Sequence, residues 1–347
     1  MAEEINRQLE CTVLVCHTGP RKRLLRGRAP NVEYSTRHVP EVLLLTALVA
    51  LLALASPAPG PVAISRAEAD SVRHAIEKDR VETREWLKSS PTSYLAAVAR
   101  TDFSTDRLTV GREPGSGVRL DDPAVRPRHL EVTVDRDSFV VQAVDDSASF
   151  KLKGVELRRA TVGPTSVAVG RYTLRLSHQR FPAIIVFDPQ SPGFTSYKGI
   201  DYFPVDLAWR YVLPLTPNPR PDTTVIVSTR GSQRRAVKAG WFDFMVGKTR
   251  CRLEASRLLE PGVGESDIAV FFRDATTGKE SYAVGRYLDP QPLGNGRYVL
   301  DFNLAYSPAC AYSVHYNCPI PPRTNQLKVA VRAGEKDMHY LDHDPKP

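Results

Sequence analysis

The sequence predicts a mostly β protein. A short pair of N-terminal helices should precede a small antiparallel β-sandwich and then a second antiparallel β-domain, sandwich or barrel-like in form. Three observations predict it. The apolar spacing changes from helical to a period of two near Arg107 and keeps that period to about Ala333. Proline and glycine are frequent, 28 and 21 in 347 residues, and punctuate short apolar runs as turns do. The length suffices for one large or two medium cores.

The elements follow in order. Residues 1–60 read as an address rather than a fold. Val42 to Ala55 is an uncharged apolar run, shorter than the roughly twenty residues that span a bilayer. Arg21, Lys22, Arg23, Arg26, Arg28 and Arg37 precede it, and Ala53-Leu54-Ala55 fits a signal-peptidase site. We expect export to the periplasm or the extracellular space, with residues 42–55 either removed or kept as an anchor in the cytoplasmic membrane. The extended spacer Ser56-Pro57-Ala58-Pro59-Gly60 ends this segment.

Residues 61–101 form the helical lead. Ser65-Arg66-Ala67-Glu68 is a capping box, and Val72, Ile76, Thr83 and Leu87 share one helical stripe beside Trp86. Ser89-Ser90-Pro91 ends this helix, and Pro91 would open a second, from Thr92 to Arg100. Residues 102–180 form the sandwich, with strands at Leu108–Val110, Val118–Leu120, Leu130–Val134, Phe139–Ala143, Phe150–Leu152, Thr165–Val169 and Tyr172–Leu176. Residues 181–336 form the second β-domain, with strands at Val225–Val227, Lys238–Met245, Thr249–Leu253, Ile268–Asp274, Ser281–Leu288, Arg297–Phe302 and Gln326–Arg332. Gly247-Lys248 and Asn295-Gly296 are hairpin turns. Residues 337–347 are a polar tail, where His339 and His343 accompany Asp342 and Asp344.

Formal net charge is +8, but acids lie between the basic residues. Arg234-Arg235 with Lys238 is a short run without stacking aromatics, so no nucleic-acid binding is expected. No G-x-S-x-G elbow, H-E-x-x-H pair or phosphate-binding glycine loop is present.

Two resemblances appear. Residues 109–130, with Gly111-Arg112 and His129, resemble the opening of a forkhead-associated (FHA) domain, a phosphothreonine-reading sandwich. Arg126 stands where that family's phosphate-contacting serine would be. The resemblance therefore implies the sandwich more firmly than the reading function. The C-terminal half resembles a prokaryotic family catalogued as domain of unknown function 1684. The matching pieces are Phe203-Pro204-Val205-Asp206 with Trp209-Arg210, Phe272-Arg273-Asp274, Tyr282 with Gly285-Arg286, Asp301-Phe302-Asn303, Cys310 with Cys318-Pro319, Asn325, and Ala333-Gly334-Glu335-Lys336. It implies a family and no chemistry.

Two groups of residues carry candidate chemistry. Cys310 and Cys318 flank His315. An exported protein favours a Cys310–Cys318 disulfide, worth about 2–3 kcal/mol for so short a loop. Buried thiols are the next reading, and a metal site or nucleophile the last. Asp274, Arg286, Asp301, Asn303 and Glu335 sit on or beside strands. They would form either a polar pocket for an anion or a buried ion-pair and turn-capping network, in which Asp301 caps the bend to Asn303 and Arg286 pairs with Asp274 or Glu335. The sequence favours the network, because aspartates and asparagines at strand ends commonly tie down turns.

We therefore expect a non-catalytic ligand- or protein-binding module of the cell envelope. Its candidate binding residues are Asp274, Tyr282, Arg286, Asp301, Asn303, Asn325, Glu335 and Lys336, and its partner a small anionic ligand or an envelope protein. No cofactor or metal is implied. The rival expectation is a hydrolase for a small anionic substrate, acting through Asp301, Arg286 and Glu335.

Overall fold

The computed structural model describes residues 60 and 64–337. The apolar run 42–55, Cys11, Cys16 and the histidines of the tail lie outside the described residues. Helix α1 spans Arg66–Ser89, and the Ser65 side chain accepts from the Glu68 N–H as the capping box requires. Ile76, Thr83 and Leu87 are buried along it, together with Asp79 and Arg80.

The second helix does not form. A single 3-10 turn, Tyr94–Ala96, leads into strand β1, Ala97–Asp102. Its partner, β11 (Pro182–Phe187), is remote in sequence, and antiparallel pairing with it overrides the local helical pattern. The sandwich therefore begins and ends beyond the limits expected from sequence, at Ala97 and Phe187. Between them lie β2 (Arg107–Gly111), β3 (Val118–Arg119), β4 (Leu130–Asp135), β5 (Ser138–Ala143), β6 (Phe150–Leu152), β7 (Val155–Leu157), β8 (Arg159–Val162), β9 (Thr165–Val169) and β10 (Tyr172–His178). They form a six-stranded sheet, β1-β11-β10-β9-β6-β7, over a five-stranded sheet, β3-β2-β4-β5-β8. The core is made by alternate residues of both inner faces, including Val110, Val132, Phe139, Val141, Val167, Leu174 and Leu176.

Strand β11 joins the two halves of the molecule. Ile184 and Val186 point into the sandwich core. Ile185 and Phe187, on the opposite face, enter a second core with Leu87, Tyr94, Tyr287, Cys310, Tyr312 and Tyr316. Only a strand covered on both faces reads as the unbroken run Ala-Ile-Ile-Val-Phe.

A short helix α2 (Pro192–Ser196) leads into the C-terminal module. Its strands are β12 (Arg210–Pro214), β13 (Thr216–Pro217), β14 (Thr223–Val227), β15 (Gln233–Val246), β16 (Thr249–Leu258), β17 (Val270–Phe272), β18 (Arg286–Leu288), β19 (Gln291–Gly294) and β20 (Arg297–Asp301). They make three small antiparallel sheets around one aromatic-rich core containing Tyr211, Phe242, Phe244, Phe272 and Phe302. Both expected hairpin turns are present. Asn295 and Gly296 have φ of 51° and 68°, the pair of positive values that a two-residue turn of this kind needs. Gly247, at φ 56°, opens the turn between β15 and β16. The expected strand over Gln326–Arg332 is absent. That segment is irregular, held by one bridge from Arg273 to Gln326 and by side chains.

Candidate functional site

The β17–β18 hairpin sets Phe272 opposite Arg286, so Asp274 and Arg286 meet just beyond the paired residues. Gly285 permits this approach: at φ +117° a Cβ would lie 2.6 Å from the Phe272 carbonyl oxygen. The Arg286 side chain is 1 % exposed and donates from Nη2 to Asp274 Oδ2 at 2.8 Å. It also donates to the carbonyls of Val331 at 2.7 Å, Glu335 at 3.2 Å and Ala333. Asp274 Oδ2 further accepts from the Val331 N–H at 2.8 Å, while Oδ1 accepts from the Thr276 N–H and hydroxyl at 3.0 and 2.6 Å. Burial lowers the Arg286 pKa and the Asp274 carboxylate opposes that shift. This arginine is the hub that holds the irregular C-terminal segment.

The other expected site residues are placed in the same way. Asp301 caps the 3-10 turn Phe302–Leu304, accepting from the Asn303 N–H at 3.1 Å, and pairs with Arg210 at 2.8 Å. Asn303 bonds both ways to the Asp206 backbone, at 2.9 and 2.8 Å. Asn325 does the same for Glu254, at 2.7 and 2.9 Å, and also donates to the Phe271 carbonyl at 2.8 Å. Glu335 Oε2 accepts from the Ser307 N–H at 2.7 Å and the Tyr312 hydroxyl at 3.0 Å. Lys336 lies with its Nζ 5.4 Å from the centre of the Phe203 ring. Tyr282 donates to the Cys310 carbonyl at 3.3 Å, and burial drives its pKa upward. Arg286 and Glu335 are neighbours, whereas Asp301 is turned to Arg210. The three residues expected to carry hydrolysis thus have their polar atoms in bonds that close turns and link strands.

The expected disulfide is not formed. Cys310 and Cys318 are both thiols, 7 % and 0 % exposed. They are nonetheless adjacent, since the Cys310 N–H donates to the Cys318 sulfur at 3.3 Å. The sulfur of Cys318 serves as an acceptor at the 3-10 turn Ala309–Ala311, which explains the spacing without a covalent bond. His315 is half-buried, and burial and then the charges of Arg230 and Arg100 push its pKa down. Among the described residues, no cluster of three or more His, Cys, Asp or Glu side chains could hold a metal ion.

The exposed polar convergence lies elsewhere, at one end of the sandwich. The loop after β2 and the loop before β4 are laced by backbone bonds from Arg112 to Arg126 at 3.0 Å and from Glu113 to Pro127 at 3.2 Å. Gly111 allows this close approach, because a Cβ would meet the Pro127 carbonyl at 2.0 Å. Arg112, Arg126 and Arg128 are all exposed here. His129 is buried beneath them. Its Nδ1 accepts from the Arg126 N–H at 3.0 Å, so its proton sits on Nε2, which donates to the Ser149 carbonyl at 2.8 Å. That bond ties in the β5–β6 loop, where Ser147 and nearby Arg126 and Arg158 hold the Asp145 carboxyl below its ordinary pKa. This loop is closed by side chains of the following strands: the Ser149 hydroxyl donates to Glu156 Oε1 at 2.5 Å, and Arg158 donates to the Ala148 and Asp145 carbonyls, both at 3.2 Å.

Two structural pairs escaped the sequence reading. Arg234 and Glu260 form an ion pair at 2.9 Å with 0 % and 2 % of their side chains exposed. Lys238 pairs with Glu254 at 2.8 Å. Arg234 read as part of a solvated run. Only the two-fold alternation of β15, which turns Arg234 inward and Arg235 outward, distinguishes it.

Fold and contacts together define a mostly β protein in which a sandwich of a six-stranded and a five-stranded sheet is joined by a short helix to an ion-pair-laced β module. Residues 195–336 match the family described as Protein of unknown function (DUF1684). A solution NMR structure of the uncharacterized protein from gene locus rrnAC0354 of Haloarcula marismortui is 36% identical over 41% of this chain and 78% of that one, with a TM-score of 0.34. An FHA domain from a study of phosphothreonine-dependent FHA interactions is 17% identical over 24% of this chain and 79% of that one, with a TM-score of 0.19. The FhaA FHA domain, complexed with the intracellular domain of Rv3910, is 15% identical over 24% of this chain and 82% of its own, also at 0.19. No match was found among curated proteins.

Proposed function

We propose that this protein is a non-catalytic binding module of the cell envelope, and that it takes an acidic or phosphorylated partner at the loop end of the sandwich. The observation that carries this reading is the grouping of exposed Arg112, Arg126 and Arg128 on two hydrogen-bonded loops. Arginine presents a planar fork of donors suited to phosphate and carboxylate. Arg126 replaces a neutral phosphate contact with a charged one. The hydrolase reading gains nothing from the geometry, because Asp301, Arg286 and Glu335 are held in structural bonds. Envelope placement rests on the apolar run 42–55 and is tested by fractionating the native host.

The binding test is fluorescence anisotropy with a phosphothreonine peptide and its unphosphorylated acidic counterpart. Binding should weaken with salt. It should fall at least tenfold in the Arg112→Ala/Arg126→Ala double variant, with folding unchanged. Absence of binding by either peptide at millimolar concentration defeats the proposal.

A further inference from the structure

A second cationic pair lies on α1, about halfway along its length, away from the sandwich loops. Arg80 and Arg84 are one helical turn apart, so their side chains share a face. Both stack on one ring: the guanidinium carbons lie 4.7 and 4.8 Å from the centre of Tyr202. Arg80 is buried, with 5 % of its side chain exposed. Its Nη1 reaches Glu77 Oε1 at 3.3 Å, but its Nε and Nη2 have no hydrogen-bond partner among the described residues. Arg84 is half-buried and uses Nε on the Ile200 carbonyl at 3.2 Å. Its two terminal nitrogens make no hydrogen bond among the described residues.

A guanidinium is charged at every accessible pH, and burying one with donors unspent is unfavourable unless something accepts from them. The acids around Arg80 do not fill this role. Glu77 takes one nitrogen and its own side chain is 57 % exposed. Asp79 contributes little to Arg80, less than the repulsion from Arg84. Glu335, nearby on the strand bridge to Tyr202, is taken up by the Ser307 N–H and the Tyr312 hydroxyl. Both guanidinium carbons lie over the Tyr202 ring. Arg84 is the more exposed of the two and Arg80 the more buried.

We infer that Arg80 and Arg84 form a binding site for a small oxyanion, a phosphate or carboxylate group carried on a small molecule, at the seam between α1 and residues 197–202. The site is independent of the sandwich loops. An anion there would be held by the two arginines of α1 where they pack on Tyr202. Arg73, which donates to the Val205 carbonyl at 3.1 Å, holds the same helix to the same segment further toward its start.

The test uses the full chain, melted with increasing inorganic phosphate and, separately, acetate, against chloride at constant ionic strength. The expected result is a saturable rise in Tm with one of the two anions, absent with chloride. It should persist in Arg112→Ala/Arg126→Ala, which separates this site from the sandwich loops. It should weaken at least tenfold in Arg84→Gln, whose side chain is partly exposed and whose loss leaves the fold intact. Arg80→Met should abolish the response, and without added anion it should melt no lower than the native chain, because it removes a buried, under-bonded charge. No rise with either anion, or a rise equal in Arg84→Gln and the native chain, overturns the inference. A rise that vanishes in Arg112→Ala/Arg126→Ala also overturns it.

Discussion

Removing the Asp274 carboxylate is the sharpest perturbation of the C-terminal module. Five donors converge on it: Arg286 Nη2 and the Val331 N–H at 2.8 Å each, the Thr276 N–H and hydroxyl at 3.0 and 2.6 Å, and the Thr277 hydroxyl at 3.2 Å. Asp274→Ala leaves a guanidinium that is 1 % exposed with no counter-charge. Breaking a buried pair in this way costs about 3–5 kcal/mol, a large share of the roughly 5–15 kcal/mol that stabilises a typical domain. With a urea m-value of about 2 kcal/mol/M, a loss of about 4 kcal/mol lowers the unfolding midpoint by about 2 M. Asp274→Asn should fall between, since one oxygen remains and the amide turns a donor toward other donors. Asp274→Leu with Arg286→Met should recover most of the loss, because no unpaired charge stays buried. The assay is urea unfolding followed by tryptophan fluorescence and circular dichroism. A midpoint for Asp274→Ala within about 0.5 M of the native one would refute the reasoning.

Other consequences follow from the same contacts. Asn303→Ala removes both bonds to the exposed Asp206 backbone and should cost about 1–2 kcal/mol in the same urea assay. Gly334→Ala should destabilise more than an ordinary surface change, because φ is +80° and a Cβ would meet the Ala305 carbonyl at 2.4 Å; thermal melting checks this. Cys251, Cys310 and Cys318 should resist alkylation in the folded protein and all react after denaturation without reductant, as read by peptide mass. His315 is pushed below its ordinary pKa of 6.5, first by burial and then by Arg230 and Arg100. The unfolded chain therefore binds its proton more readily, so stability is present above pH 6.5 and is lost as pH falls through the lower folded value. Midpoints compared between pH 7 and 5.5 should show a slope that His315→Leu flattens.

Local signals in the sequence translate directly into structure. Ser65 caps α1, Asn295-Gly296 turns the chain, and Asp301 caps the bend to Asn303 as its position at a strand end suggests. The pairing of Arg286 with Asp274 was one of two partners open to it, and hairpin register chose between them. What escaped the sequence depends on distant partners. Ala97–Asp102 has helical spacing and becomes a strand only because Pro182–Phe187 lies beside it. Arg80 looks like any charge on a helix, and its burial comes from the segment around Tyr202. The disulfide expectation followed from the inferred compartment, whereas the sulfur of Cys318 accepts from the Cys310 backbone as a thiol. No spacing rule separates these two uses of a cysteine pair.

The central claim is that the polar residues marking the C-terminal module serve the fold, while recognition occurs at the loop end of the sandwich. Amide chemical-shift mapping of the full chain with a phosphothreonine peptide tests it most directly. The account predicts shifts at Arg112, Arg126, Arg128 and Ser147, with Arg286, Asp301 and Glu335 unmoved. Shifts centred on Arg286, Asp301 and Glu335, with the sandwich loops silent, would contradict it.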